Sequence, residues 1–231
     1  MKNEKAMRII EKALRQGRKT LSEYESKQVL AAYDIPVTRE VLVKDKTGLD
    51  KAIKKIGFPL VMKGCSADIA HKTEKGLIHV DIRTSTEAKK AFREIMAGME
   101  GFEGGVLMQE MIKGRRELVM GLTRDPQFGP CVMFGLGGVF SELQKDVVFA
   151  PAPLSTSTAK ELIRSISGKK LLQGFRGRKP LDMKLMIEVL VNLGNLATAC
   201  LDIEQIDINP LVIYQGKPIA VDATVIKKAV G

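Results

Sequence analysis

The sequence predicts a layered α/β protein of two lobes, and three observations carry that expectation. Up to residue 82, amphipathic segments at helical spacing alternate with short apolar runs, the pattern of helices laid on a sheet. From about residue 106, strand-like runs broken by turn residues dominate until helical periodicity returns near residue 158. Between these halves Gly101 to Gly105 reads as a joint. A chain of 231 residues with 45% hydrophobic content is long enough for two small lobes sharing a cleft.

Ala6, Ile9, Ile10, Ala13 and Leu14 fall on one face of a helix over residues 4–16, which Gly17 ends. Ser22 and Glu25 have capping-box spacing and open a second helix running to about Tyr33. Asp34-Ile35-Pro36 then turns the chain into a strand over 37–43, and a third helix covers about 49–56. The stretch 59–82 follows: an apolar strand delivers Lys63, a loop bounded by Gly64 and Gly76 presents His71, and a second strand starts near Gly76. Thr84 and Glu87 form another capping box, heading a helix that aligns Ala88, Ala91, Phe92, Ile95, Met96 and Met99. Strands are expected over 106–112, 117–123 and 129–134, with the lobe boundary near the first of these. Helices return at about 158–166, with a capping box at Thr158 and Glu161, and at about 182–199. A hairpin closes the chain.

Composition narrows the function classes. No apolar run approaches the roughly 20 residues that span a bilayer, and charges interrupt the N-terminal apolar positions, so a cytoplasmic location is expected. Cys65, Cys131 and Cys200 lack metal-type spacing and read as reduced structural thiols. The net charge of +10 suits a polyanionic ligand, nucleic acid or an acidic partner. Aromatic residues make up only 5% and do not interleave with Lys and Arg, which argues against nucleic acid.

Three sets of residues could carry chemistry. If Gln215-Gly216 is a two-residue turn, Asn209 lies opposite Asp222 with Asp207 on the same face, while Ile206, Ile208 and Val212 pair Val225, Ala223 and Ile219 on the other. Three oxygen donors on one side of a ribbon fit a hard cation such as Mg²⁺, and equally fit a solvated polar face. A neutral imidazole at His71 can accept and return a phosphoryl group, or simply make a loop hydrogen bond. Lys63 closes an apolar strand, where an ammonium needs an anion to meet. The glycines of GLGG are a weak anion-cradle signal, and His79 alternates with apolar strand residues and is given no role. Glu110 and Glu117 flank a glycine-containing turn and could face a ligand.

Taken in order, Lys63, SADIAHKTEKG, QEMIKGRRELVMG, FGLGGVFSELQKD, GFRG and EQIDINPLVIYQGKPIAVDA resemble the nucleotide-binding beta subunit of the ADP-forming acyl-CoA synthetases. That resemblance implies one ATP-grasp module over 1–231, with approximate lobes 20–105 and 106–231, helix 4–16 packing on the second lobe, and the nucleotide between the lobes. It implies that Lys63 contacts nucleotide phosphates, that Glu110, Met111 and Ile112 meet the adenine, and that Glu117 lies near the ribose or phosphates. Asn209 and Asp222, with Asp207 beside them, correspond to the Mg²⁺ ligands, and His71 to a transiently phosphorylated histidine. The reaction implied is acyl-CoA + ADP + phosphate ⇌ acid + CoA + ATP, with a CoA-binding alpha subunit completing an α2β2 heterotetramer. Here Leu77 follows Gly76 where the family has a Gly-Gly pair, and Ala67 stands where it often has proline. An ATP-grasp carboxylate ligase forming a direct acylphosphate, or a basic non-enzymatic binding module, are the competing readings.

Overall fold

The computed structural model describes residues 2–69, 76–114, 116–138, 146–174 and 179–228. It divides into two compact units, one of residues 22–24 and 38–112, the other of residues 1–21, 25–37 and 113–231. Each has its own sheet and its own core.

In the first unit, strands β1 (Glu40–Val43), β2 (Leu60–Cys65), β3 (Ile78–Ile82) and β4 (Gly105–Glu110) form a sheet in the order β1-β4-β2-β3, antiparallel at every pairing. Helices α3 (Lys46–Ile56) and α4 (Ser85–Gly98) supply its apolar layer. Leu49, Ile53, Ile56, Ala88, Phe92 and Ile95 pack with Leu60, Met62, Val106 and Met108 from the strands. Strand residues alternate faces, so Val61, Lys63, Leu107 and Gln109 point to the side away from that core. The Thr84–Glu87 capping box forms as the sequence indicates, and such a cap contributes about 1 kcal/mol. Helix α3 begins at Lys46 rather than 49 because the Asp45 side chain accepts from Gly48 N and caps it.

In the second unit, β5 (Glu117–Asp125), β6 (Gly129–Leu136), β7 (Val147–Pro151), β8 (Ile203–Tyr214), β9 (Lys217–Ala220) and β10 (Ala223–Lys227) make a six-stranded sheet in the order β10-β8-β5-β6-β7, with β9 also on β8. Its core draws on α1 (Lys2–Arg15), α2 (Glu23–Ala32), α5 (Thr156–Ser165) and α6 (Met183–Ala199). Ala6, Ile10 and Ala13 of α1 pack into this core together with Leu190, Leu193, Phe134 and Ile206. Helix α5 starts two residues before Thr158, because Ser155 is its cap and accepts from Thr158 N.

Three boundaries move from their sequence expectations. Strand β4 lies between β1 and β2, so the glycine-rich 101–105 stretch connects a helix to a strand and the unit boundary falls at 112/113 rather than 105/106. Residues 25–37 join the second unit, since Val29, Leu30, Ala32 and Tyr33 are buried in its core. The expected strand 37–43 is regular only over 40–43, Val37 instead making a single parallel bridge to Ala220.

Candidate active site

The closing hairpin places its polar residues as its turn predicts. Ala223 pairs Ile208, Val225 pairs Ile206 and Ile219 pairs Val212. Asn209 N donates to Asp222 O at 3.3 Å, which sets those two residues opposite one another. One detail differs: Ile206 and Ile208 enter the core, yet beyond Pro210 it is Leu211 and Ile213 that do, with Val212 outside that core. The alternation slips by one where β8 pairs β5, in a register shift between Leu118 and Met120. Only positions up to Asn209 therefore share the parity assumed for the metal face.

Asp207 is half-buried on this face, opposite Thr224 on β10 and Gly121 on β5. Burial pushes its carboxyl up from the usual range, and the negative charge of Asp222 pushes it further. Two carboxylates that repel one another, with Asn209 set opposite Asp222 by its backbone, bring oxygen-bearing residues together, the chemistry that Mg²⁺ accepts. Among the described residues no three His, Cys, Asp or Glu side chains gather as a metal site, and the hairpin itself brings two carboxylates and an asparagine. A raised carboxylate favours the folded state only while protonated: the folded chain loses relative stability as pH rises from the unfolded value through the folded one, and the cost is complete above the latter. At neutral pH in EDTA, Asp207→Asn is expected to melt above the parent chain, whereas Mg²⁺ raises the parent's melting temperature more than the variant's. A lower melting temperature for the variant in EDTA would contradict the repulsion.

Glu117 opens β5 opposite Val212. Its carbonyl accepts from Gly137 N at 2.8 Å, and Gly138, with φ +67°, lies so close to the Glu117 carboxylate that a Cβ there would stand 3.1 Å from Oε2. The last two glycines of GLGG, Gly137 and Gly138, are thus folded against Glu117. Arg116, its neighbour, donates to the carbonyls of Leu171, Gln173 and Lys179, pinning the chain on both sides of the GFRG segment. Gly135 belongs to β6 and pairs Val119 and Val147.

In the other unit, Lys63 is buried and its ammonium meets a carboxylate of the chain itself: Nζ donates to Glu23 Oε1 at 2.8 Å. The side chains are 7% and 1% exposed. Both flanking strand neighbours of Lys63, Ile78 and Leu107, are apolar. Sequence reasoning missed Glu23, which reads locally as an acidic residue in the first turn of a helix and lies 40 positions from its partner. Removing one partner of a buried, hydrogen-bonded charge pair is strongly destabilising, so Glu23→Ala is expected to lower unfolding free energy by about 3–5 kcal/mol, measured by chemical denaturation. A loss typical of an exposed pair, under about 1 kcal/mol, would contradict the burial.

Glu110 ends β4 with both carboxylate oxygens engaged by Arg39, one by its backbone N at 2.9 Å and one by its guanidinium at 2.8 Å. The backbone N–H groups of Glu110 and Met111 donate to Arg39 O and Pro59 O. Ile112 follows at the end of the unit. The segment 110–112 is thereby fixed at its start, and the Glu110 side chain serves Arg39. His71 lies outside the described residues. Of the sequence candidates, the structure gathers Asn209, Asp207 and Asp222; Lys63 and Glu110–Ile112 lie in one unit, Glu117 and the hairpin in the other.

Comparison with known proteins matches the ATP-grasp domain over residues 12–226. The acetate–CoA ligase [ADP-forming] I subunit beta of Pyrococcus furiosus is 41% identical over 227 residues, covering 96% of this chain and 97% of that one. The chain belongs to the ATP-grasp family of ADP-forming acetate–CoA ligase beta subunits. Among solved members of this family, the acetyl-coenzyme A synthetase 1 of Ca. Korarchaeum cryptofilum in complex with coenzyme A and an AMPCP complex superposes with a TM-score of 0.91 at 39% identity, covering 96% of this chain and 100% of that one. A second form of that enzyme holds Mg-AMPPCP, with its phosphohistidine segment pointing towards the nucleotide-binding site, at a TM-score of 0.86, 39% identity and the same coverage. In the acetate–CoA ligase [ADP-forming] I of Archaeoglobus fulgidus, 35% identical, 96% of this chain aligns with only 33% of a longer polypeptide. Family membership agrees with an α/β architecture of two sheets. No helix among the described residues is long and apolar enough to cross a membrane.

Proposed function

We propose that this chain is the nucleotide-binding beta subunit of an ADP-forming acyl-CoA synthetase, converting acyl-CoA, ADP and phosphate reversibly to acid, CoA and ATP together with a CoA-binding alpha subunit. The observation that carries this reading is the match to a beta subunit along nearly the full length of both chains. The chemistry assigns distinct work to each residue set. His71 accepts a phosphoryl group from the partner subunit's phosphohistidine through a neutral imidazole nitrogen, forming one P–N bond as the donor's P–N bond breaks and returns its electron pair to the donor imidazole. The terminal β-phosphate oxygen of ADP then attacks that phosphorus, forming the new P–O bond of ATP as the P–N bond breaks and returns its electron pair to the imidazole. Lys63 neutralises nucleotide phosphate charge, the backbone of Glu110 to Ile112 borders the base, and Glu117 lines the ribose or phosphate end. Asn209, Asp222 and Asp207 would hold Mg²⁺, which when bound screens the phosphate oxygens against one another. Partner phosphohistidine, α2β2 assembly and cytoplasmic location complete the proposal.

Reconstitution tests it. Mixed with its CoA-binding subunit, the chain is expected to form ATP from acetyl-CoA, ADP and phosphate, and neither chain alone turns over. Turnover by the isolated chain with an acid and an amine would instead identify a ligase working through a direct acylphosphate.

A further inference from the structure

The proposed nucleotide chemistry gives Lys63 a role but leaves unexplained how an ammonium survives in an apolar strand before any nucleotide arrives. A buried amine is stabilised by shedding its proton, and a neutral amine offers phosphate no charge. Glu23 answers this. Its carboxylate sits 2.8 Å from Nζ and is the more deeply buried partner, 1% exposed against 7% for Lys63. Glu23 accepts one of the three ammonium hydrogens of Lys63 and so restrains the orientation of the group.

We infer that Glu23 is a positioning residue for nucleotide binding, holding Lys63 protonated and oriented towards the phosphates. This rests on the reading that Lys63 meets the nucleotide. Other titratable groups surround the pair: Tyr24 follows Glu23, and burial, Glu40 and Cys65 together push its phenol up, so that it stays neutral. Opposite Lys63 on β3 and β4 stand Ile78 and Leu107, which bring no charge. The Glu23 carboxylate is in direct contact with Nζ at 2.8 Å and so favours the charged form of Lys63.

The test is the pH dependence of ADP affinity, measured by calorimetry on the full chain with saturating Mg²⁺ between about pH 7 and about pH 9, where an ordinary lysine stays charged. The parent is expected to be flat. Glu23→Gln, which keeps the shape and removes the charge, is expected to bind progressively less ADP as pH rises, approaching a loss of about tenfold per pH unit above the lowered Lys63 value. Adding Lys63→Arg to that variant restores a flat profile, because guanidinium does not titrate in this range. Glu23→Asp stays flat but binds more weakly, its carboxylate drawn back by one methylene. If Glu23→Gln follows the parent's profile while Lys63→Ala weakens ADP binding, Glu23 is a structural partner only and the inference falls, with the nucleotide site intact. If Lys63→Ala leaves ADP affinity unchanged, both fall together. Should Glu23→Gln fail to fold, unchanged affinity in Glu23→Asp overturns the inference on its own.

Discussion

Replacing His71 with alanine is expected to eliminate ATP formation by the reconstituted enzyme while leaving ADP binding near the parent value. The two effects separate because they rest on different residues. In the proposed function nucleotide affinity is assigned to Lys63, the 110–112 segment and the hairpin, whereas the covalent step needs a nucleophile that is neutral near pH 7 and able to release phosphate again. The chain has only two histidines. The other, His79, sits on β3 with Nε2 3.7 Å from Glu94 Oε2 and has no place in the relay. His79→Ala is accordingly the matched control and is expected to retain turnover. Equal loss in both variants would point to folding damage rather than chemistry.

Removing the Asp222 carboxylate is expected to have the next largest effect, with two separate readouts. Without it the hairpin keeps Asp207 and Asn209, one charge where there were two, and Mg²⁺-dependent ADP affinity falls by at least the 10–100-fold seen when even an outer-shell partner of a metal is lost. In EDTA the same Asp222→Ala change removes the repulsion that adds to the larger effect of burial on the Asp207 carboxyl, so Asp207 titrates lower than in the parent while burial still holds it above the usual range. Calorimetry with and without Mg²⁺, beside an NMR titration of the Asp207 carboxyl in EDTA, reads both. Residues retained only as a solvated polar face would show neither change.

These expectations were legible in the sequence to different depths. The hairpin register followed from Gln215-Gly216 alone, since a two-residue turn fixes every pairing beyond it until the strand slips. The slip at Asn209-Pro210 was not legible, because it answers to pairing with β5, roughly 90 residues earlier in the chain. Helix caps read well where a threonine and a glutamate act on each other, as at Thr84 and Glu87, and less well where a serine three residues upstream does the capping, as at Ser155. Glu23 was invisible because its meaning comes from Lys63, which only the fold brings to it. The unit boundary was misplaced because glycines mark any sharp connection, whereas membership of a sheet is decided by the partners of β4.

The relay through His71 is tested most directly by incubating the full chain with γ-labelled ATP and Mg²⁺ and mapping the labelled residue after proteolysis. The expected result is a single acid-labile, base-stable phosphohistidine at His71, absent from His71→Ala and discharged to ATP on addition of ADP. Label that persists in His71→Ala, or that maps to any other residue, would contradict it.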